Sequence, residues 1–252
     1  MNRLQKIGIC GSLAAAALLP VAVSFAGASG SPDPAPERVT AGGSAIYGML
    51  IYSWDDDAQE GLYEITKSGA VLKFKRPNGY EMMSGWLKDG KLCGYAEDKY
   101  GMTVRGRVYE EIEFSTGRVL TKKDMEVNGS RFETATLNED DGYIYGYGKM
   151  ASGEKGFLKA PASDPTAIEL VTTASDDDAF VSITFNPADR KIYGITKDYN
   201  HNLVTVDTEG TQTKVIKVPS ASDVNWDYVT GLVYAPKENL FYWNKYEGEE
   251  SM

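Results

Sequence analysis

The sequence predicts an all-β fold, a β-propeller of four-stranded antiparallel blades, on three observations. A Tyr-Gly strand recurs at a blade-sized period. Each copy is flanked by short β-forming stretches that end in Gly- or Pro-containing turns. Helix-forming runs of Ala, Leu, Glu and Lys are scarce beyond residue 30, whereas Tyr (16 copies) and Gly (26 copies) are abundant among the 252 residues.

The N-terminus is set apart from this pattern. Arg3 and Lys6 make a basic start, the stretch 7–25 is almost wholly apolar or small, and Ala26 and Ala28 form an A-x-A-like site. Together these predict a secretory signal peptide over 1–28. A retained membrane anchor is the alternative, and Pro20 and the cleavage pattern argue against it. Residues 29–43, with Ser31-Pro32-Asp33-Pro34-Ala35-Pro36 and then Gly42-Gly43, read as a flexible or polyproline-like leader.

The blades are assigned to 44–252. Ile46-Tyr47-Gly48-Met49, Leu92-Cys93-Gly94-Tyr95, Ile144-Tyr145-Gly146-Tyr147 and Ile192-Tyr193-Gly194-Ile195 share one motif, and Leu240-Phe241-Tyr242-Trp243 is a degenerate fifth copy. Gly48, Gly94, Gly146, Gly194 and Trp243 are spaced 46, 52, 48 and 49 residues apart. A further strand follows each copy and runs into a polar Gly turn, as at Lys67-Ser68-Gly69, Ser115-Thr116-Gly117 and Asp207-Thr208-Glu209-Gly210. The third unit has only a weak version, Gly156-Phe157-Leu158. A strand precedes each copy, as in 180–185 followed by Asn186-Pro187-Ala188-Asp189-Arg190, and an outer strand such as 213–219 completes the unit. Four strands in about 48 residues is the size of a propeller blade, and such a sheet must stack on neighbours to bury both faces. Gly in the second strand is expected to allow close packing, and Tyr to fill the gap between blades. A β-solenoid or sandwich is the alternative architecture.

The units fall at approximately 44–78, 79–127, 128–176, 177–222 and a partial 223–252. The first begins at its second strand and the last ends after its second. Four and a half blades predict an incomplete ring, the N-terminal part of a six- to eight-bladed protein. The segment Phe185-Asn186-Pro187 … Lys191-Ile192-Tyr193-Gly194-Ile195 … Asn202-Leu203-Val204-Thr205-Val206-Asp207 resembles a blade of exported bacterial propellers of the YVTN/NHL-like type. The resemblance extends over roughly 44–252 and concerns the fold. It implies a surface or periplasmic setting and a group of functions dominated by adhesion and by glycan or peptide binding, with a minority of lyases and hydrolases.

Charge and cysteine content narrow the partners. The chain carries 26 basic and 36 acidic residues, for a net charge of −10. Loss of residues 1–28 removes two basic residues and leaves a net charge of −12. Such a surface disfavours nucleic acid and anionic lipid. Cys10 leaves with the signal, so Cys93 has no intrachain disulfide partner, and its strand-like context predicts a buried, inert thiol.

Candidate ligand contacts come from the loops joining second to third strands and one unit to the next, which share one face. They bring Trp54, Tyr100, Tyr199, His201 and Tyr246 from the first set and Tyr80, Arg131 and Trp226 from the second. Aromatic platforms beside charged and amide groups suit sugars or peptide side chains, although loop-on-loop packing explains them equally well. No catalytic residue and no cofactor is assigned. Ca²⁺ at Asp55-Asp56-Asp57 or Asp176-Asp177-Asp178 is the one metal considered, and neither run has the EF-hand pattern. His201, the single histidine, excludes sites needing two imidazoles from one chain and reads as a solvated loop residue. No G-x-S-x-G elbow is present. Asn128-Gly129-Ser130 matches the glycosylation sequon, which has no meaning in a typical bacterium. The leading expectation is an extracytoplasmic binding or adhesion module for a glycan or peptide. A propeller-type lyase or glycoside hydrolase is the rival, because paired carboxylates leave no short signature. A structural domain of a longer exported protein is the third reading.

Overall fold

The computed structural model describes residues 46–50, 59–66, 69–76, 80–100, 103–125, 129–197, 201–217, 232–237 and 239–243. The signal, the leader and the Asp55-Asp56-Asp57 run lie outside them.

The first sheet has three strands, β1 (Ile46–Leu50), β2 (Gly61–Thr66) and β3 (Gly69–Lys75). The second comprises β4 (Tyr80–Lys88), β5 (Lys91–Tyr100), β6 (Thr103–Glu113) and β7 (Val119–Asp124). The third holds β8 (Arg131–Asn138), β9 (Tyr143–Lys149), β10 (Lys155–Pro161) and β11 (Glu169–Thr173). The fourth holds β12 (Phe180–Asn186), β13 (Lys191–Thr196), β14 (Asn202–Val206) and β15 (Gln212–Lys217), and a pair follows, β16 (Leu232–Ala235) and β17 (Leu240–Trp243). Every sheet is an antiparallel meander in chain order, and β4, β8, β12 and β16 are spatial neighbours in sequence. Sheets packed face to face with their first strands side by side form a β-propeller.

The core divides into four clusters, one at each junction between successive sheets. Strand alternation explains the division. On β9, Ile144 points to the second sheet, whereas Tyr145 and Tyr147 point to the fourth. Likewise, Ile192 on β13 meets the third sheet, and Tyr193 and Ile195 meet the β16–β17 pair. Each Tyr-Gly strand is therefore buried on both faces.

The glycines of that motif are required inside their own sheet. The first strands β4, β8 and β12 each carry a β-bulge, between Met82 and Ser84, Phe132 and Thr134, and Phe180 and Ser182. The bulge brings backbone onto the neighbouring glycine. A Cβ at Gly94 would fall on the Ser84 carbonyl oxygen and one at Gly146 on the Thr134 carbonyl oxygen, while at Gly194 it would strike the Phe180 ring. Close approach is thus the reason for Gly, within a blade rather than between blades.

Two further devices join the sheets. First strands are tied at a one-blade interval, where Phe185 N–H donates to Thr136 Oγ1 (3.1 Å) and Leu232 N–H donates to Ser182 Oγ (2.8 Å). The turns between third and fourth strands dock on the preceding sheet. Gly117, at φ 74°, abuts Phe74, and Gly210, at φ 86°, abuts Thr172 and Phe157. The third sheet has no glycine in this turn. Its longer 162–168 loop instead offers the Pro165 carbonyl, which accepts a 2.9 Å bond from the Tyr95 hydroxyl. That substitution accounts for the weak third copy of the turn motif, since β10 is a complete strand.

Candidate ligand-binding face

Antiparallel order places the ends of β5, β9 and β13 and the starts of β6, β8, β10 and β12 on one side of the propeller. The turns between first and second strands occupy the other side. There Asn138 and Asn186 close matching turns, their Oδ1 atoms accepting from Asp140 N–H (3.0 Å) and Ala188 N–H (2.9 Å). Tyr145 donates to Asp141 (3.0 Å) and Tyr193 to Asp189 (2.5 Å), which pins each turn to its strand.

The strand-end side holds a cleft between the second and third sheets, about 10 Å³ in volume and lined by Met83, Glu97, Arg107, Met125, Arg131 and Phe132. That is room for roughly one water molecule. Arg107 Nε donates to Glu97 Oε1 at 2.8 Å across the β5–β6 hairpin. Arg131 opens β8, and its nearest carboxylate in ion-pair reach is Glu133 at 3.9 Å. The bulge after Met82 turns Met83 towards this cleft.

Around the same rim, Lys155 Nζ meets both carboxylate oxygens of Asp176, at 2.7 and 2.9 Å. This contact holds the Asp176 carboxyl below its ordinary range and raises the Lys155 ammonium. The Tyr147 hydroxyl donates to Asp176 and to the Ser175 carbonyl, both at 3.3 Å, and is pushed up to about 12, chiefly by burial. It is therefore a donor at neutral pH and not a base. The Asp176–Asp178 run forms a 3₁₀ turn whose Asp178 carboxylate accepts from Ser175 Oγ (2.7 Å). With Lys155 supplying the counter-charge, this run is a closed ion-pair turn. Among the described residues no group of three His, Cys, Asp or Glu side chains is placed to hold a metal.

The sequence-predicted contacts distribute unevenly. Tyr80 and Tyr100, expected in loops, are the first residue of β4 and the last of β5, because the β4–β5–β6 strands extend further than the motif suggested. Arg131, also expected in a loop, begins β8 and lines the cleft. His201 is a correction in environment. At φ 44° it closes the β13–β14 connection, and its ring is buried at 2% exposure with Nδ1 3.1 Å from the Thr196 carbonyl. A carbonyl only accepts, so Nδ1 carries the proton. His201 thus faces inward and not solvent. Trp54, Tyr199, Trp226 and Tyr246 lie outside the described residues. Glu97 and Lys149 fall in the loops the sequence assigns to this face without being named as contacts, and Arg107 and Lys155 were not anticipated. Their signal is the placement of charges at both ends of a hairpin, as in Glu97 and Arg107 ten residues apart.

Cys93 is buried, as its strand-like context predicts. It lies against Tyr109, and burial pushes its thiol up. No helix among the described residues is long and apolar enough to cross a membrane.

No protein-family model and no curated protein matches the chain. Among solved structures, it is similar to a gluconolactonase from Xanthomonas campestris at 9% identity and a TM-score of 0.48, over 80% of this chain and 65% of that one. It is also similar to a protein described as the extracellular domain of a hybrid two-component system from Bacteroides thetaiotaomicron, at 14% identity and a TM-score of 0.38, over 80% and 24% of the two chains. A Bacteroides thetaiotaomicron protein of unknown function matches at 9% identity and a TM-score of 0.43, over 69% and 41%. The chain spans less than two thirds of the length of each of these three structures. At such identities the likeness concerns fold, and no residue role is carried over.

Proposed function

We propose that this chain is an extracytoplasmic ligand-binding module that recognises a glycan or peptide on the strand-end face of the propeller. The observation that carries the reading is the charged rim of the water-sized cleft between the second and third sheets, where Arg107 and Glu97 on the β5–β6 hairpin and Arg131 at the start of β8 are partly buried. Recognition needs donors and acceptors whose positions are fixed before the ligand arrives, and strand ends supply that better than free loops. The signal-like stretch 1–28 and the YVTN/NHL-like segment 185–207 support an exported setting.

The test is an array of neutral and charged glycans and peptides probed with the chain lacking residues 1–28. Arg107→Ala and Arg131→Ala are expected to weaken any interaction found, and Glu209→Ala, on the opposite side, to leave it unchanged. Binding that survives both arginine substitutions but is lost with Glu209→Ala would place recognition on the wrong face and refute the reading.

A further inference from the structure

We infer that the rim of the third sheet takes an acidic glycan, a chain of sugars bearing carboxylate or sulfate groups, with Arg131 and Lys149 as its principal contacts. This rests on the strand-end face being the ligand-binding surface.

Three cations stand directly opposite one another there. Arg131 on β8 pairs in register with Lys149 on β9, and Lys149 pairs with Lys155 on β10. Like charges directly opposite each other on neighbouring strands are destabilising. The arrangement occurs in a protein with ten more carboxylates than basic side chains. Internal counter-charge is incomplete. Asp176 is bonded to Lys155, whereas Glu133 lies 3.9 Å from Arg131, beyond hydrogen-bond reach. Glu154, in the β9–β10 hairpin, accepts from Ser152 (2.8 Å). No carboxylate among the described residues is within ion-pair distance of Lys149.

The spacing selects the class of ligand. Neighbouring strands lie ~4.8 Å apart, so Arg131 and Lys149 stand one such step from each other, and Lys155, paired with Asp176, stands one step beyond. An extended peptide presents same-side carboxylates only every ~6.7 Å. One carboxylate or sulfate of a sugar unit, set between Arg131 and Lys149, can accept from both across a single ~4.8 Å step. Guanidinium binds either carboxylate or sulfate through parallel N–H···O bonds, and ammonium serves as a point charge beside it.

Titration calorimetry with an oligogalacturonate, a sulfated oligosaccharide, an uncharged oligogalactose and an oligoglutamate tests this. One or both acidic sugars are expected to bind, more weakly at 200 than at 50 mM salt. The two arms distinguish carboxylate from sulfate. Arg131→Ala and Lys149→Ala are each expected to weaken binding about tenfold, the scale of one charge-assisted bond, with melting temperatures equal to or slightly above that of the parent because opposed like charges are relieved. Lys214→Ala, on the outer strand β15, is expected to have no effect. Acidic-sugar binding unaltered by both substitutions overturns the site. Preference for oligoglutamate overturns the glycan class. Binding of the neutral sugar alone overturns the inference and leaves the face intact, and absence of binding to all four, together with a blank array, removes both.

Discussion

Gly117 offers a direct measure of how strongly neighbouring blades hold one another. Its φ of 74° lies in the left-handed region, and a Cβ there would stand 2.6–2.7 Å from three atoms at the root of the Phe74 side chain on the preceding sheet. Gly90, at φ 72°, has the same backbone requirement with nothing within 4 Å of its would-be Cβ. Alanine at either site therefore carries the same left-handed penalty, about 1–2 kcal/mol, and the same offset from a stiffer unfolded chain, about 0.4–1 kcal/mol. Only Gly117→Ala adds overpacking, about 1–3 kcal/mol, because a ring anchored at its own Cβ cannot swing clear. The difference between the two variants isolates the contact between blades. It is read from urea unfolding followed by tryptophan fluorescence, with Trp86 as a reporter because it packs on Tyr95 and Tyr109 at the next junction. In a melting experiment the same gap amounts to roughly 3–10 °C for a domain of this size. Phe74→Ala is expected to remove most of the extra loss in a double-mutant cycle. Equal stability of Gly117→Ala and Gly90→Ala, within about 0.5 kcal/mol, refutes the docking argument.

Other consequences follow from buried and paired groups. Arg76 and Glu110 form an ion pair at 2.8 Å with side chains 3% and 2% exposed, so Glu110→Ala should lower the unfolding free energy by about 3–5 kcal/mol. The double variant Arg76→Met/Glu110→Leu should recover much of that, and a double variant as unstable as the single contradicts the desolvation argument. The Cys93 thiol, raised by burial, should not react with an aromatic disulfide reagent until the chain unfolds; labelling in the native state at the rate of a free thiol counts against it. Glu111 is held below the usual carboxylate range first by its hydrogen bond from Lys91. Its contribution is therefore present above the unfolded glutamate range, near pH ~4.3, and is lost as pH falls through the depressed folded value. Lys91→Met should flatten the stability profile between about pH 5 and 3, and an unchanged slope there excludes the pair as its source.

The blades were legible because their cause is local. Gly94, Gly146 and Gly194 recur at a fixed interval since each must clear a bulge or ring on its own first strand, and that need repeats with every blade. The aromatic or thiol preceding each glycine recurs because it fills the next junction, as Tyr145 and Tyr193 do. The third sheet shows the limit. Its junction with the second is closed by the Pro165 carbonyl instead of a glycine turn, a solution no periodic search detects because only the hydrogen bond is shared, not the residue type.

The site was less legible for a related reason. Sequence reading assigned function to aromatic loop residues, whereas the described rim is built from charges at strand ends whose grouping depends on register. Arg131, Lys149 and Lys155 are 18 and 6 residues apart in the chain and become neighbours only because β8, β9 and β10 pair as they do. The bulge between Phe132 and Thr134 adds one residue to β8 near this end of the strand. Because strand side chains alternate between faces, one residue more or less would send Arg131 to the opposite side of the sheet. The glycine that accommodates the bulge is Gly146, from the repeat motif itself. The feature that makes the fold recognisable therefore also sets which face Arg131 presents, so replacing Gly146 is expected to disturb the cation row before it disturbs the count of strands.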